Sequence, residues 1–164
     1  MDNQTKRGTV VGKPAPDFTL QDHNRAYVNL MDSIKVSSAM LAFYPENFSA
    51  VCTDQLCDYR DNIEQFVELG VQIFGISKND ASSHSKFIDE YQFPFSLLCD
   101  PNNSVARQYG CTSLLMLGNV SRAVFLVNTK GTILYRYVEP TTFTRRKSHE
   151  LIGVINQLRK NNLF

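Results

Sequence analysis

Two cysteines lie in a segment whose composition suits thiol chemistry. Cys52 follows an apolar run, residues 39–44, that predicts a buried strand, and it opens residues 51–69, where apolar side chains recur at helical spacing. N–H groups in the first turn of a helix have no intrahelical partner and, with the helix dipole, favour the reactive thiolate. Ser49 adds a hydroxyl upstream and Cys57 a second thiol downstream. These groups suit a thiol that attacks an electrophile and then forms a disulfide with its neighbour.

The same segment resembles the peroxiredoxins. Pro45, Ser49 and Cys52 match the pattern Pro-x-x-x-Thr/Ser-x-x-Cys of that family, and residues 43–61 are most similar to its bacterioferritin-comigratory, or Q-type, branch. The likeness extends from residue 12 to the C-terminal helix. It implies a monomeric thiol peroxidase of the AhpC/TSA family, with a thioredoxin-like fold and no cofactor. Such an enzyme reduces hydrogen peroxide and organic hydroperoxides and is recycled by thioredoxin or a similar dithiol donor.

The resemblance also implies a role for each matching side chain. Cys52 is the peroxidatic nucleophile, which becomes a sulfenic acid. Cys57 stands where the branch often carries its resolving cysteine. Ser49 hydrogen-bonds the peroxide, and Pro45 shields the thiolate from water. Arg122, immediately before a predicted strand, supplies positive charge to the thiolate and to the developing hydroxide.

Each of these residues also has an ordinary structural interpretation. Ser49 could cap the helix, Pro45 could end the strand, Arg122 could lie on the surface, and Cys57 could pack in the core. Arg60, on the same helix as the cysteines, is a weaker candidate for a second positive charge, paired with a carboxylate. We favour the chemical interpretation because the residues occur together in the family pattern.

On an intact helix, Cys52 and Cys57 are too far apart to form a disulfide. Five residues rise by roughly 7.5 Å and turn by about 140°, which puts the Cα atoms roughly 8.6 Å apart. A disulfide needs a Cα separation below ~7 Å. The first turns must therefore unwind in each catalytic cycle, as family members with this spacing are thought to do. Ala50 stands where the family usually has proline, and the loss of a fixed φ is expected to loosen the loop before Cys52.

The remaining candidates carry weaker signals. Cys99 ends an apolar strand and is expected to be structural. Cys111 follows Gly110 in a loop, and we expect it to be more exposed, either without a role or as an alternative resolving thiol. Tyr44 is expected to line the thiolate pocket. The spacing Cys-x4-Cys, with no second Cys/His pair, predicts no metal site. Isolated histidines and a basic triplet are expected at the surface: His23, His84, His149 and residues 145–147, the last as a solvated helix start.

Composition limits the class of protein. At 164 residues the chain can bury one core, so we expect a single domain over residues 1–164, with residues 1–10 as a loose tail or a weak edge strand. The net charge of +1 offers no strong field for nucleic acid or an anionic membrane. No segment has the apolar length of a signal peptide or a membrane span. We therefore expect a cytoplasmic protein, whose four cysteines serve redox chemistry.

The order of the predicted elements is that of an α/β fold. After an N-terminal hairpin they follow βαβαβ and then ββα, which predicts a thioredoxin-like fold with a central mixed β-sheet and helices on both faces. The predicted strands are residues 18–20, 27–30, 38–44, 71–76, 94–98, 123–127 and 132–137, and the predicted helices are residues 51–69, 81–91, 104–109 and 146–160.

A second function would use the same chemistry. The chain could be a peroxide sensor or disulfide relay, in which oxidised Cys52 passes its disulfide to a partner protein. Both functions begin with the same sulfenic acid. Turnover distinguishes them, because an enzyme consumes many equivalents of peroxide with a thiol donor, whereas a relay needs a specific acceptor.

Overall fold

A computed structural model describes residues 9–113 and 117–164. Within these residues the centre is one mixed β-sheet. Its strands in chain order are β1 (Thr19–Asp22), β2 (Tyr27–Asn29), β3 (Ser38–Phe43), β4 (Val71–Ser77), β5 (Ser96–Cys99), β6 (Ala123–Val127) and β7 (Ile133–Val138). The order across the sheet is β2-β1-β5-β4-β3-β6-β7. β3, β4 and β5 are parallel, while β1, β2, β6 and β7 pair antiparallel. The predicted α/β class is confirmed.

The helices are α1 (Leu30–Ser33), α2 (Ala50–Asp61), α3 (Ile63–Glu68), α4 (Ala81–Tyr91), α5 (Ser104–Gln108) and α6 (Ser148–Lys160), with a 3₁₀ turn at Pro101–Asn103. α4 has the predicted bounds, whereas the short α1 was not predicted. Of the predicted loose tail, residues 1–8 lie outside the described residues, and the Thr9 hydroxyl donates to the Tyr109 carbonyl at 3.1 Å.

The single predicted helix over residues 51–69 is wrong, because the chain forms two helices that meet at Asn62. The Asn62 side-chain amide donates to the Asp58 carbonyl at 2.9 Å, which is the group that an uninterrupted helix would bond through the Asn62 backbone. The backbone of Asn62 leaves the helical region, with φ −114° and ψ 16°. Asparagine competes with the backbone in this way, and the helix breaks where it does so.

Both faces of the sheet carry a buried core. Along β3, alternate side chains point to opposite faces, so that Leu41 and Phe43 join one core and Met40 and Ala42 the other. α1 and α5 cover the first face, which we call the α5 face. α2, α3, α4 and α6 cover the second, which we call the α2 face. The prediction of helices on both faces is confirmed.

Strand register brings two distant parts of the chain to one edge of the sheet. β3 ends at Phe43, and the chain then runs through residues 44–49 into α2. β6 pairs antiparallel with β3, with Ala123 opposite Phe43. The residue before β6, Arg122, therefore arrives at the edge from which Cys52 is presented.

Candidate active site

Cys52 is the third residue of α2 and is completely buried. The Thr53 N–H donates to the Ser49 carbonyl at 2.9 Å, so the N–H groups of the preceding helical residues have no carbonyl partner within the helix. Their partial positive charges and the helix dipole act on the thiol. Cys52 belongs to the core of the α2 face, where apolar side chains surround it and exclude water.

Arg122 is the residue in contact with the Cys52 sulfur. Its Nη2 donates to Cys52 Sγ at 3.2 Å, and its Nη1 donates to the carbonyl oxygen of Thr142. The arginine is only 5% exposed. Among the described residues, no carboxylate forms an ion pair with it. A buried guanidinium is costly without partners, and here its Nη groups bond the Cys52 sulfur and the Thr142 carbonyl.

Ser49 and Pro45 flank this pair. Ser49 occupies the N-cap position of α2, yet its side chain makes no capping hydrogen bond. Its Oγ is buried and has no partner among the described residues. Pro45 lines a small cavity of about 20 Å³ together with Arg122 and Glu139, enough for about one water molecule. The start of α2 thus carries a hydroxyl without a partner among the described residues, and a cation contacts the Cys52 sulfur.

Cys57 lies on α2 with Cys52 and is half-buried against the core of the α2 face. Partial burial raises the pKa of the Cys57 thiol, while the charge of Arg60 opposes this shift. Arg60 pairs with Asp61 at 2.8 Å and donates to the Tyr91 carbonyl at 2.6 Å. Arg60, the weaker candidate cation, therefore acts on the Cys57 thiol and connects α2 to α4.

The expectation that Cys111 is the exposed thiol is wrong. Cys111 is 1% exposed in the core of the α5 face, and its Sγ donates to the Ala106 carbonyl at 3.3 Å. Burial raises its pKa far above the ordinary range for a thiol. The cause is a helix-ending motif. Gly110 has φ 69°, and the Cys111 N–H donates back to the Ala106 carbonyl, which turns the side chain inward. Cys99, half-buried at the end of β5, is the more accessible of the two.

The expected surface position of His84 is also wrong. His84 is fully buried and bonds to Asn47 and to the Leu98 carbonyl. Sequence reasoning missed both His84 and Asn47, although a signal existed, since Ala81, His84 and Phe87 recur every three residues on the buried face of α4. His149 is exposed as expected. Among the described residues, no group of three or more His, Cys, Asp or Glu side chains could hold a metal ion.

The basic triplet is not a solvated helix start. α6 begins at Ser148, after the triplet. Arg145 pairs with Asp54 on α2. Arg146 lies over the Tyr137 ring, 3.8 Å from its centroid, and pairs with the buried Glu139 at 3.4 Å. These arginines connect the segment after β7 to α2 and to the wall of the Arg122 cavity.

Several known proteins are similar in sequence to this chain. The model of the AhpC/TSA family matches residues 11–136. A chloroplastic peroxiredoxin Q of Triticum aestivum is 36% identical over 126 residues, which cover 77% of this chain and 58% of the relative. A putative peroxiredoxin bcp of Coxiella burnetii is 35% identical over 128 residues, 75% of this chain and 84% of the relative. The chain thus spans about 58% of the length of its plant relatives.

Solved structures agree with the fold. Peroxidoxin BcpB from Mycobacterium tuberculosis superposes with a TM-score of 0.80 at 25% identity, covering 94% of this chain and 98% of that one. The reduced 2-Cys peroxiredoxin of Plasmodium vivax has a TM-score of 0.84 at 22% identity, covering 95% and 100%, a likeness of fold alone. The predicted thioredoxin-like fold is confirmed.

We expect Arg122→Met to slow alkylation of Cys52 by iodoacetamide at pH 7 roughly 10- to 100-fold, because the thiolate loses its buried positive partner. Arg122→Lys should recover only part of this loss, since lysine lacks the forked geometry. Mass spectrometry of the Cys52 peptide gives the rate separately from the other thiols. Arg159→Met, which removes an exposed arginine, is the control. Equal Cys52 rates in Arg122→Met and wild type would show that another group stabilises the thiolate.

His84 makes stability depend on pH. Burial lowers its pKa from 6.5 to about 4, the charge of His23 adds to this effect, and the Leu98 carbonyl and Asp80 oppose it. As pH falls from about 6.5 to about 4, His84 therefore binds a proton in the unfolded chain but stays neutral in the folded chain. The free energy of unfolding should fall by up to ~1.4 kcal/mol per pH unit in this window. Urea unfolding at pH 7, 6 and 5 should show a smaller fall for His84→Asn than for wild type. Identical pH slopes would contradict a neutral, buried His84.

Proposed function

The chain belongs to the AhpC/TSA family, and from this premise we propose that it is a thiol peroxidase that reduces hydrogen peroxide and organic hydroperoxides. The observation that carries the proposal is the buried contact of 3.2 Å between Arg122 Nη2 and Cys52 Sγ. A thiolate held by a guanidinium at a helix N-terminus is a nucleophile at neutral pH, whereas a free thiol with a pKa near 8.5 is mostly protonated.

In the first step, the Cys52 thiolate attacks the terminal oxygen of the hydroperoxide. The S–O bond forms as the O–O bond breaks, so that the sulfur becomes a sulfenic acid and the other oxygen leaves as alkoxide or hydroxide, which takes up a proton to give alcohol or water. Negative charge moves from sulfur to the leaving oxygen. Arg122 stabilises the charge at both ends, because its fork of donors can span sulfur and oxygen.

Ser49 and Pro45 have supporting roles in this proposal. The Ser49 Oγ, which has no partner among the described residues, is available to hydrogen-bond the peroxide. Pro45 contributes no N–H and walls the cavity beside Arg122. The cavity has room for about one water-sized group beside Arg122.

In the second step, the Cys57 thiol condenses with the Cys52 sulfenic acid to give a disulfide and water. Cys57 supports this role better than Cys111, because it shares α2 and the α2 face with Cys52. Cys111 lies in the core on the opposite face of the sheet. The step requires α2 to unwind, since the Cα atoms on an intact helix stand roughly 8.6 Å apart.

Contacts along α2 suggest where unwinding stops. The end of the helix is held by three buried or half-buried residues. Asp58 accepts from the Ser148 N–H at 2.6 Å and the Ser148 hydroxyl at 3.0 Å, and the Tyr59 hydroxyl donates to the Arg146 carbonyl at 2.8 Å. Arg60 donates to α4. The residues of α2 before Asp58 have fewer polar contacts with other elements, the Cys52 contact and an ion pair at the exposed Asp54. Exposed pairs contribute little stability.

Recycling requires a dithiol donor, for which we propose thioredoxin or a similar protein. We also keep a cytoplasmic location and a monomeric state as proposals. All four cysteines are free, which suits a reducing compartment. Within the described residues, no helix has the length and apolar character needed to cross a membrane. A sensor or relay that passes its disulfide to a partner protein is the second candidate, since it would use the same Cys52 chemistry.

Steady-state consumption of peroxide tests the proposed enzyme. We expect wild-type protein to consume many equivalents of hydrogen peroxide with thioredoxin, its reductase and NADPH. We expect Cys52→Ser to consume none, because the serine hydroxyl has no accessible anion at neutral pH. Cys99→Ser is the matched control and should retain turnover. A single equivalent consumed by wild type, followed by arrest with this donor and with dithiothreitol, would favour the relay.

Hydrogen exchange tests the second step. Oxidation should lower amide protection at residues 53–57, where the helix must open, and also at residues 58–61, because their N–H groups lose the helical carbonyl acceptors of residues 54–57. Cys57→Ser should react once and then accumulate the sulfenic acid, which is prone to over-oxidation. Unchanged protection at residues 53–57 in the oxidised wild type would remove Cys57 as the resolving thiol and leave the peroxide step standing.

A further inference from the structure

The loop between β3 and α2 lacks the usual means of fixing a helix start. Ser49 makes no capping bond, so its hydroxyl stays free. Phe48, just before it, has φ 62°, a conformation that is uncommon for a bulky side chain and costs free energy. A strained, uncapped loop keeps one geometry only if other contacts hold it.

Asn47 supplies these contacts. The residue is 5% exposed, and both polar groups of its side chain are bonded. Its Oδ1 accepts from the Tyr44 hydroxyl at 2.7 Å, and its Nδ2 donates to Ser83 Oγ at 3.0 Å and to His84 Nδ1 at 3.1 Å. The Asn47 backbone N–H donates to Asn79 Oδ1 at 3.0 Å. One residue therefore joins the loop to the end of β3 and to α4.

His84 can hold Asn47 in one protonation state only. Its Nε2 lies 3.1 Å from the Leu98 carbonyl, which is an acceptor, so Nε2 carries the proton. In the neutral ring, Nδ1 is then the acceptor that Asn47 Nδ2 needs. The ring is fully buried between α4 and β5, and this position fixes the direction of its acceptor.

We propose that Asn47 and His84 are positioning residues for Cys52, a proposal that rests on the peroxidase function. They hold the loop so that α2 begins where Cys52 meets Arg122, while the Ser49 hydroxyl remains free for the peroxide. An ordinary serine cap would hold the helix start but would occupy that hydroxyl. The bonds of Asn47 to Tyr44 and His84 fix the start of the helix in place of a cap.

Two substitutions of His84 separate this role from simple loss of stability. Asparagine places its Oδ1 near the position of Nδ1, so His84→Asn keeps an acceptor for Asn47 and loses the bond to Leu98. Glutamine places its amide near the position of Nε2, so His84→Gln keeps the bond to Leu98 and loses the acceptor. Both remove a buried ring and should lower the melting temperature. Only the glutamine variant should release Asn47.

The experiment measures the rate constant of Cys52 alkylation at pH 7, the rate constant of its reaction with hydrogen peroxide, and the melting temperature of each variant. Asn47→Ala and His84→Gln should lose roughly 10- to 100-fold in both rate constants, since small displacements of reacting groups have effects of this size. His84→Asn should recover to within about threefold of wild type. Asn128→Ala is the control, because it removes buried bonds in the β6–β7 turn, at the opposite end of β6 from Arg122.

Equal losses in the asparagine and glutamine variants would overturn the proposal, because the effect would then follow stability and not the Asn47 contact. Wild-type rates in folded Asn47→Ala would also overturn it. If Asn47→Ala does not fold, the His84 pair decides the question alone. Failure of the peroxidase function would give a different result. Wild-type protein would not react with peroxide, while the Cys52 alkylation rates of the variants would still differ as predicted.

Discussion

The structure depends on one buried electrostatic contact, between the guanidinium of Arg122 and the sulfur of Cys52. A cation that is 5% exposed and has no carboxylate partner among the described residues is costly unless an anion accompanies it. The Cys52 sulfur is the group placed to accompany this cation, and the proposed function uses the same contact to stabilise the reacting sulfur. The pairing of β3 with β6 brings the two residues to the same edge of the sheet, although they are distant in the chain.

The surroundings of this contact divide into rigid and movable parts. The loop before Cys52 is tied to α4 through Asn47, and the end of α2 is tied to α4 and α6 through Asp58 and Arg60. Between these anchors lies the part of α2 that precedes Asp58, which holds both proposed reacting thiols. A site of this kind can keep an exact geometry for attack on a peroxide and then release one short segment for disulfide formation.

Local signals in the sequence were enough for the strands, for most helix bounds and for the motif around Cys52, because apolar periodicity and a contiguous pattern carry them. Errors arose where a side chain competes with the backbone or where tertiary packing decides. The Asn62 side chain ends a helix by bonding the Asp58 carbonyl, which the Asn62 backbone N–H would bond in a continuous helix. Cys111 turns inward after a glycine, and His84 finds buried partners that lie far away in sequence. Arg122 was predicted from the family resemblance, and the pairing of β3 with β6 brings it to the edge of the sheet where Cys52 lies.

Peptide mapping after one equivalent of hydrogen peroxide tests the central claim most directly. The reduced protein is oxidised, its remaining thiols are blocked, and each cysteine peptide is quantified. If the buried cation sets reactivity, the oxidant should be found on Cys52, linked to Cys57, although Cys52 is fully buried and Cys99 is more accessible. Oxidation of Cys99 in preference to an unmodified Cys52 would show that exposure governs the reaction, and it would contradict the account.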